Sequence, residues 1–278
     1  MNIKSLVTTS VIAMAAASAA QAADVIVPRE TAPAVIAAAP SFSWTGFYIG
    51  GQVGNFSSKV DVYDSESKKK ITDKDSTPKP SGFMGGIYVG SNVDLGNGLI
   101  LGVETDAVWA DREESKTQSE VIGDAGLAGF KTELTDAKAT VASGKTIDGI
   151  TKNDKRIEGF SLKEKWSGAT RVRIGFAAVD RIMPYVAGGI AYTQVQMVNS
   201  LKAETAGGTE IASAKVFDKS KTFVGFTIGG GVDFAMTDNV LLRAEYRYSD
   251  YGKKAFVKDG DKIAYKTNDF RVGVAYKF

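Results

Sequence analysis

The chain has 278 residues, 44% hydrophobic and 24% charged, and its 34 basic and 32 acidic side chains leave a formal net charge of +2. Cysteine and histidine are both absent, which excludes thiolate, disulfide and imidazole chemistry and leaves only carboxylates for a zinc site. The near-balance of charge supplies no global attraction to nucleic acid, so no nucleic-acid partner is expected.

Residues 1–22 read as a secretory signal peptide: one cation, Lys4, then an apolar small-residue run, then Ala20-Gln21-Ala22 as the cleavage pattern. No later segment supplies the ~20 consecutive apolar residues of a membrane helix. An exported chain of this kind is either periplasmic or an outer-membrane barrel. Residues 23–43 hold Pro28, Pro33 and Pro40 among alanine and valine, and prolines so placed interrupt helix and ladder alike, giving an extended periplasmic tail.

From residue 44 onward the dominant signal is period two, which sends alternate side chains to opposite faces of a strand. A first strand is expected over 44–56. In the next, Phe83, Gly85, Ile87, Val89 and Val93 alternate with Met84, Gly86, Tyr88, Gly90 and Asn92, and in the third Leu99, Leu101, Val103, Thr105, Ala107 and Trp109 alternate with Ile100, Gly102, Glu104, Asp106 and Val108. The fourth places Trp166, Gly168, Thr170, Val172, Ile174 and Phe176 opposite Ser167, Ala169, Arg171, Arg173 and Gly175. In 183–197 the faces stay open, because Tyr185, Val186, Ile190 and Tyr192 share no parity. The last three strands are cleaner: Val224, Phe226, Ile228, Val232 and Phe234; Val240, Leu242, Ala244, Tyr246 and Tyr248; and Phe270, Val272, Val274, Tyr276 and Phe278.

The connections alternate in length. Gly96-Asn97-Gly98, Asp180-Arg181 and Thr237-Asp238-Asn239 suit tight hairpins, whereas 57–80, 113–163, 198–220 and 250–267 are long and polar. Short turns on one side and long loops on the other are the habit of outer-membrane barrels. The fold expected is all-β, an eight-stranded antiparallel transmembrane β-barrel with long external loops, both termini lying on the periplasmic side.

In such a barrel the apolar face meets lipid, and aromatics near the strand ends (Trp44, Phe47, Tyr48, Trp109, Trp166, Tyr246, Tyr248, Tyr276, Phe278) form the interfacial girdles. The opposite face carries Glu104, Asp106, Arg171, Arg173, Asp233, Arg243, Glu245, Arg247, Asp269 and Arg271. These charges read either as a selectivity filter or as an internal salt-bridge network. An eight-strand interior is just wide enough for side chains to fill, which favours the network. Glycine pairs within strands, such as Gly50-Gly51 and Gly85-Gly86, permit curvature and close packing. No catalytic constellation stands out, so no enzyme and no required cofactor are expected, and Lys68-Lys69-Lys70 is a solvated run that also suits anionic lipid head groups.

The signal peptide and the Pro/Ala tail are joined by Trp44-Thr45-Gly46-Phe47-Tyr48-Ile49-Gly50-Gly51, Pro184-Tyr185-Val186-Ala187-Gly188-Gly189, Leu242-Arg243-Ala244-Glu245-Tyr246-Arg247-Tyr248 and the terminal Val274-Ala275-Tyr276-Lys277-Phe278. With these the whole mature chain resembles the alphaproteobacterial small outer-membrane barrel family, which includes the Brucella major surface antigens and the Bartonella hemin-binding proteins; the long 113–163 segment is most similar to the latter. The resemblance implies residence in the bacterial cell outer membrane among lipid and lipopolysaccharide, and Phe278 as the signal read by the barrel-assembly machinery. It also implies a surface antigen or adhesin that binds haem or host extracellular matrix protein, with a small porin-like channel as the alternative. Without histidine, axial haem ligation would fall to tyrosine or methionine; Tyr63, Met197, Tyr251 and Tyr265 are the candidates at loops or strand ends, where each also reads as interface aromatic or filler.

Overall fold

The computed structural model describes residues 42–64, 67–70, 77–177, 179–256 and 261–278. The expected signal peptide and all but the last two residues of the tail lie outside them. The strands are β1 (Gly46–Tyr63), β2 (Ser81–Asp94), β3 (Leu99–Val121), β4 (Thr140–Val141), β5 (Lys155–Phe176), β6 (Ile182–Glu204), β7 (Glu210–Ala235), β8 (Val240–Ala255) and β9 (Lys262–Lys277), with a helix α1 (Asp124–Asp136) between β3 and β4. All pairings are antiparallel; β4 adds to β7 outside the ring, and because β1 pairs with both β2 and β9 while β7 pairs with β8, the other eight strands close a ring. The ring leaves no exposed sheet edge in the part it encloses.

The period-two pattern becomes the wall of this barrel. Ile49, Val53, Ile87, Leu101, Val172, Ile174, Ile228, Val272 and Val274 stand exposed on the outside, a continuous apolar band that water does not favour and hydrocarbon does. Aromatics mark its margins: Phe47, Phe176, Phe234, Tyr276 and Phe278 at the turn end, and Phe83, Trp109 and Phe226 at the loop end, where Trp109 pairs across strands with Trp166. Asn97, at φ 53 between two positive-φ glycines, makes the tight turn joining β2 to β3.

The girdle and the long loops are corrected, and the strand left open is settled. Trp44 and Tyr48 are not girdle residues: both are buried inside the barrel, in an apolar layer with Tyr88, Ile100, Met183, Ala235, Leu241 and Ala275 that closes the turn end. The open parity of β6 resolves, with Met183, Tyr185, Ala187 and Ala191 turned in and Ile182, Val186 and Ile190 turned out. The pattern was obscured because an aromatic, Tyr185, takes an interior place among polar groups.

The long loops are mostly strand. The β3–β5 ladder runs on to Val121↔Lys155, β5–β6 to Lys155↔Glu204, β6–β7 to Glu204↔Glu210 and β1–β9 to Tyr63↔Lys262. Crossing the hydrocarbon takes only ~9–11 residues, so these strands stand well above it. There both faces can be polar, so the alternation that reveals a strand fades while the hydrogen-bond ladder continues. Helix α1, also unexpected, places Leu127, Phe130, Leu134 and Ala137 on one face, the 3–4 spacing of a helix stripe. That face packs with Ile122, Ile150, Leu201 and Ile211 into a small core of its own on the raised sheet.

Candidate functional site

The barrel interior between the turn-end layer and the loop end is occupied by five arginines and five carboxylates. Arg243 grips Asp233 with two donors, Nε at 2.7 Å and Nη2 at 2.9 Å, and its Nη1 bonds Glu104. Arg173 reaches Asp233 at 2.7 Å and Glu104 at 3.3 Å, and Arg171 joins Glu104 at 2.6 Å to Glu245 through two bonds of 2.9 Å. Arg247 links Glu245 to Asp106, and Arg271 links Asp106 to Asp269 at 2.8 Å each. Every charge is matched by an opposite one, which offsets the cost of removing ions from water, while among the described residues the Nε groups of Arg171, Arg173 and Arg271 stay without a hydrogen-bond partner.

The ten sequence-expected lumen residues, Asp269 among them, are thus brought together. Tyrosines missed as members complete the set. Tyr48 hydroxyl donates to Glu104 at 2.8 Å and accepts from Arg173 at 2.6 Å, and Tyr185 hydroxyl donates to Glu245 at 2.7 Å. The Arg173 guanidinium lies 3.8 Å from the Tyr185 ring centre and that of Arg243 4.5 Å from Tyr88. Their seats are made by inward glycines: a Cβ on Gly90 would lie 2.3 Å from the Tyr48 hydroxyl, and one on Gly231 2.8 Å from that of Tyr185. An inward-phase glycine facing a tyrosine on the neighbouring strand is the signal that could have found them.

Above the network a second apolar layer, with Val60, Leu162, Val195, Phe223, Tyr251, Phe256, Ile263 and Tyr265, caps the loop end. Beyond the cap, a cleft of about 950 Å³ opens between the C-terminal end of α1 and the raised sheet. Phe160, Leu201 and Val216 give it apolar lining, and Lys116, Lys138, Arg156 and Lys215 face it beside the carboxylates Glu133, Asp136 and Glu158. Among the described residues no three carboxylates converge as a metal site requires.

The family model described as an outer membrane protein beta-barrel domain matches residues 9–278. The chain belongs to this outer-membrane barrel family. It is 34% identical to the 31 kDa outer-membrane immunogenic protein of Brucella melitensis biotype 1 over 99% of this chain and 100% of that one, and 29% identical to the 25 kDa outer-membrane immunogenic protein of the same organism, over 100% and 99%. Among solved structures, the outer membrane protein OprG from Pseudomonas aeruginosa aligns over 84% of this chain and 96% of its own at a TM-score of 0.42 and 11% identity. As a member of this family the protein resides in the outer membrane, its tight turns on the periplasmic side and its raised strands and helix outside the cell.

In this barrel the four haem candidates do not assemble into a ligand site. Tyr251 and Tyr265 are buried in the cap with ring centres 5.7 Å apart, and the Tyr265 hydroxyl is already committed to Glu164. Met197 packs half-buried against the same layer, and Tyr63 is covered by the Lys253 ammonium at 3.3 Å from its ring centre. Neither cap tyrosine fits the part of an axial ligand, because reaching its oxygen would mean dismantling the cap.

Proposed function

We propose that the protein works at the cell surface, binding a ligand or host protein through its raised sheet and helix, without catalysis and without a resident cofactor. The observation that carries this reading is the interior: ten charges paired one against another, closed by the Trp44 layer beneath and the aromatic cap above, leave nothing for a solute to pass through. What remains available is outside. The cleft beside α1 has the size of a small-molecule site, and its apolar lining beside charges of both signs suits an amphipathic ligand such as haem; the broad polar sheet suits a matrix protein. Those two ligand classes come from the family resemblance, as does the immunogenic character in the names of the Brucella relatives. Lipopolysaccharide surrounds the band, and Phe278, whose amide bonds Phe47 carbonyl at 2.9 Å at the seam of β1 and β9, is the residue we assign to recognition by the assembly machinery.

The porin-like alternative and the surface-binding reading part in planar bilayers. Purified protein is expected to give no steady conductance. Large, steady channels would overturn the filled-lumen reading and turn the arginines into a selectivity filter.

A further inference from the structure

Among the described residues, Glu164 is a buried carboxylate that makes no ion pair. On β5 the outward positions run 172, 170, 168, 166, and strict alternation would send residue 164 outward as well. A bulge between Glu164 and Trp166 breaks the sequence and turns Glu164 inward, where it is 1% exposed. Bulges re-aim side chains in this way. Glu164 lies beyond the Trp109–Trp166 pair, outside the segments that cross the hydrocarbon, at the level of the cap.

On β3 its cross-strand partner is Arg112, which is exposed and turns its Nε to the Phe83 carbonyl. Tyr265 of β9 donates its hydroxyl to Glu164 Oε2, and the Ser167 hydroxyl adds a second hydrogen bond. Tyr251 of β8 packs its ring 5.7 Å from that of the same tyrosine. Arg271, the nearest guanidinium, is committed to Asp106 and Asp269 at 2.8 Å each, and Asp269 repels. On β7 and β8, Lys221 and Lys254 spend their ammonium groups on the carbonyls of Ala255 and Thr222. β6 contributes Val195 to the layer. Since the five arginines below are matched by five other carboxylates, Glu164 has no counter-charge left to claim.

We propose that Glu164 and Tyr265 form a proton-controlled latch on the outer mouth of the barrel, shut while the carboxyl keeps its proton and released when that proton passes to water. A neutral carboxyl with its hydrogen bonds satisfied belongs in an apolar layer. An ionised one without a cation does not, and water reaches it only if Tyr251, Ile263 and Tyr265 draw away from Leu162 and Phe223. Burial pushes the carboxyl up to about 7, against the hydrogen bonds of Tyr265 and Ser167 and the charge of Arg271. A group raised in this way favours the closed form below its ordinary range and loses that contribution as pH climbs through 7. The latch goes beyond surface binding, and because Phe160 both packs on the cap and lines the cleft, its release would be felt where a ligand sits.

The chain has no cysteine, so a single Ile263→Cys in the cap reports opening by its rate of maleimide labelling in the full-length protein in micelles, normalised to an exposed Thr132→Cys. The normalised rate should rise on the order of tenfold between about pH 5.5 and 8.5. In a Glu164→Gln background, where the thiol's own ionisation is unchanged, it should stay low and flat. Tyr265→Phe removes a bond that favours the ionised form and should move the midpoint to higher pH. A flat native profile, or an equal rise in Glu164→Gln, overturns the latch. Should Glu164→Gln fail to show heat-modifiable migration, the Tyr265→Phe midpoint decides: unmoved or lowered, it overturns the proposal as well.

Discussion

Arg243 in the barrel and Arg156 in the raised sheet each hold two carboxylates closely, Arg156 reaching Glu133 at 3.0 Å and Glu158 at 2.7 Å with Glu120 farther off at 3.9 Å, and Arg243 reaching Asp233 at 2.7 Å beside its bond to Glu104. Their surroundings differ. The Arg243 side chain is 4% exposed and its partners 1%, whereas Arg156 is 22% exposed and its carboxylates about half. Geometry alone therefore does not set the importance of an ion pair. A surface pair is worth ~0–1 kcal/mol because water takes over when it breaks, while removing one member of a buried set strands the others.

The largest way to sharpen this contrast is Arg243→Ala, which leaves Glu104 and Asp233 short of a counter-ion. A loss of about 3–5 kcal/mol is expected, read as a lower denaturant midpoint in micelles and as loss of the heat-modifiable band. An Arg156→Ala protein losing as much would break the comparison. The next effect belongs to wall packing. A Cβ on Gly86 would lie 2.0 Å from the Ala107 carbonyl oxygen and 2.6 Å from Val108 Cα, backbone that cannot step aside, so Gly86→Ala should cost about 1–3 kcal/mol by the same unfolding measurement. The smallest has the opposite sign. Gly129, inside α1, has nothing within 4 Å of an added Cβ, and Gly129→Ala should gain about 0.5–1 kcal/mol of helix stability, seen as slower amide hydrogen exchange across 124–136 with no change in the barrel.

The interior and the raised sheet were also unequally legible. Arg171, Arg173, Arg243, Arg247 and Arg271 stand at the in-phase positions of strands whose other face is plainly apolar, so the bilayer itself wrote their direction into the pattern. Tyr48 obeys the same phase but reads as a girdle because it is an aromatic near a strand end, and Tyr185 lies in the strand whose mixed parity left its faces open. Residues 113–121 and 155–163, by contrast, carry polar groups on both faces because water bathes both, and no periodicity distinguishes them from a loop. Glu164 escaped for a further reason: its direction depends on a bulge, which shifts the phase by one without any marker in composition.

By itself the sequence determined the closed antiparallel barrel, the inside and outside of most of its strands, and the absence of imidazole and thiolate from anything it binds. Those follow from local rules, an alternation forced by lipid on one side and a residue count. Only the tertiary structure decided that the ten interior charges neutralise one another, that two of the four haem candidates are sealed in a cap, and that Glu164 is buried with hydrogen bonds but no ion pair. Each of these depends on which strands lie side by side around the ring, and closure brings together residues such as Asp106 and Arg271 that are 165 positions apart.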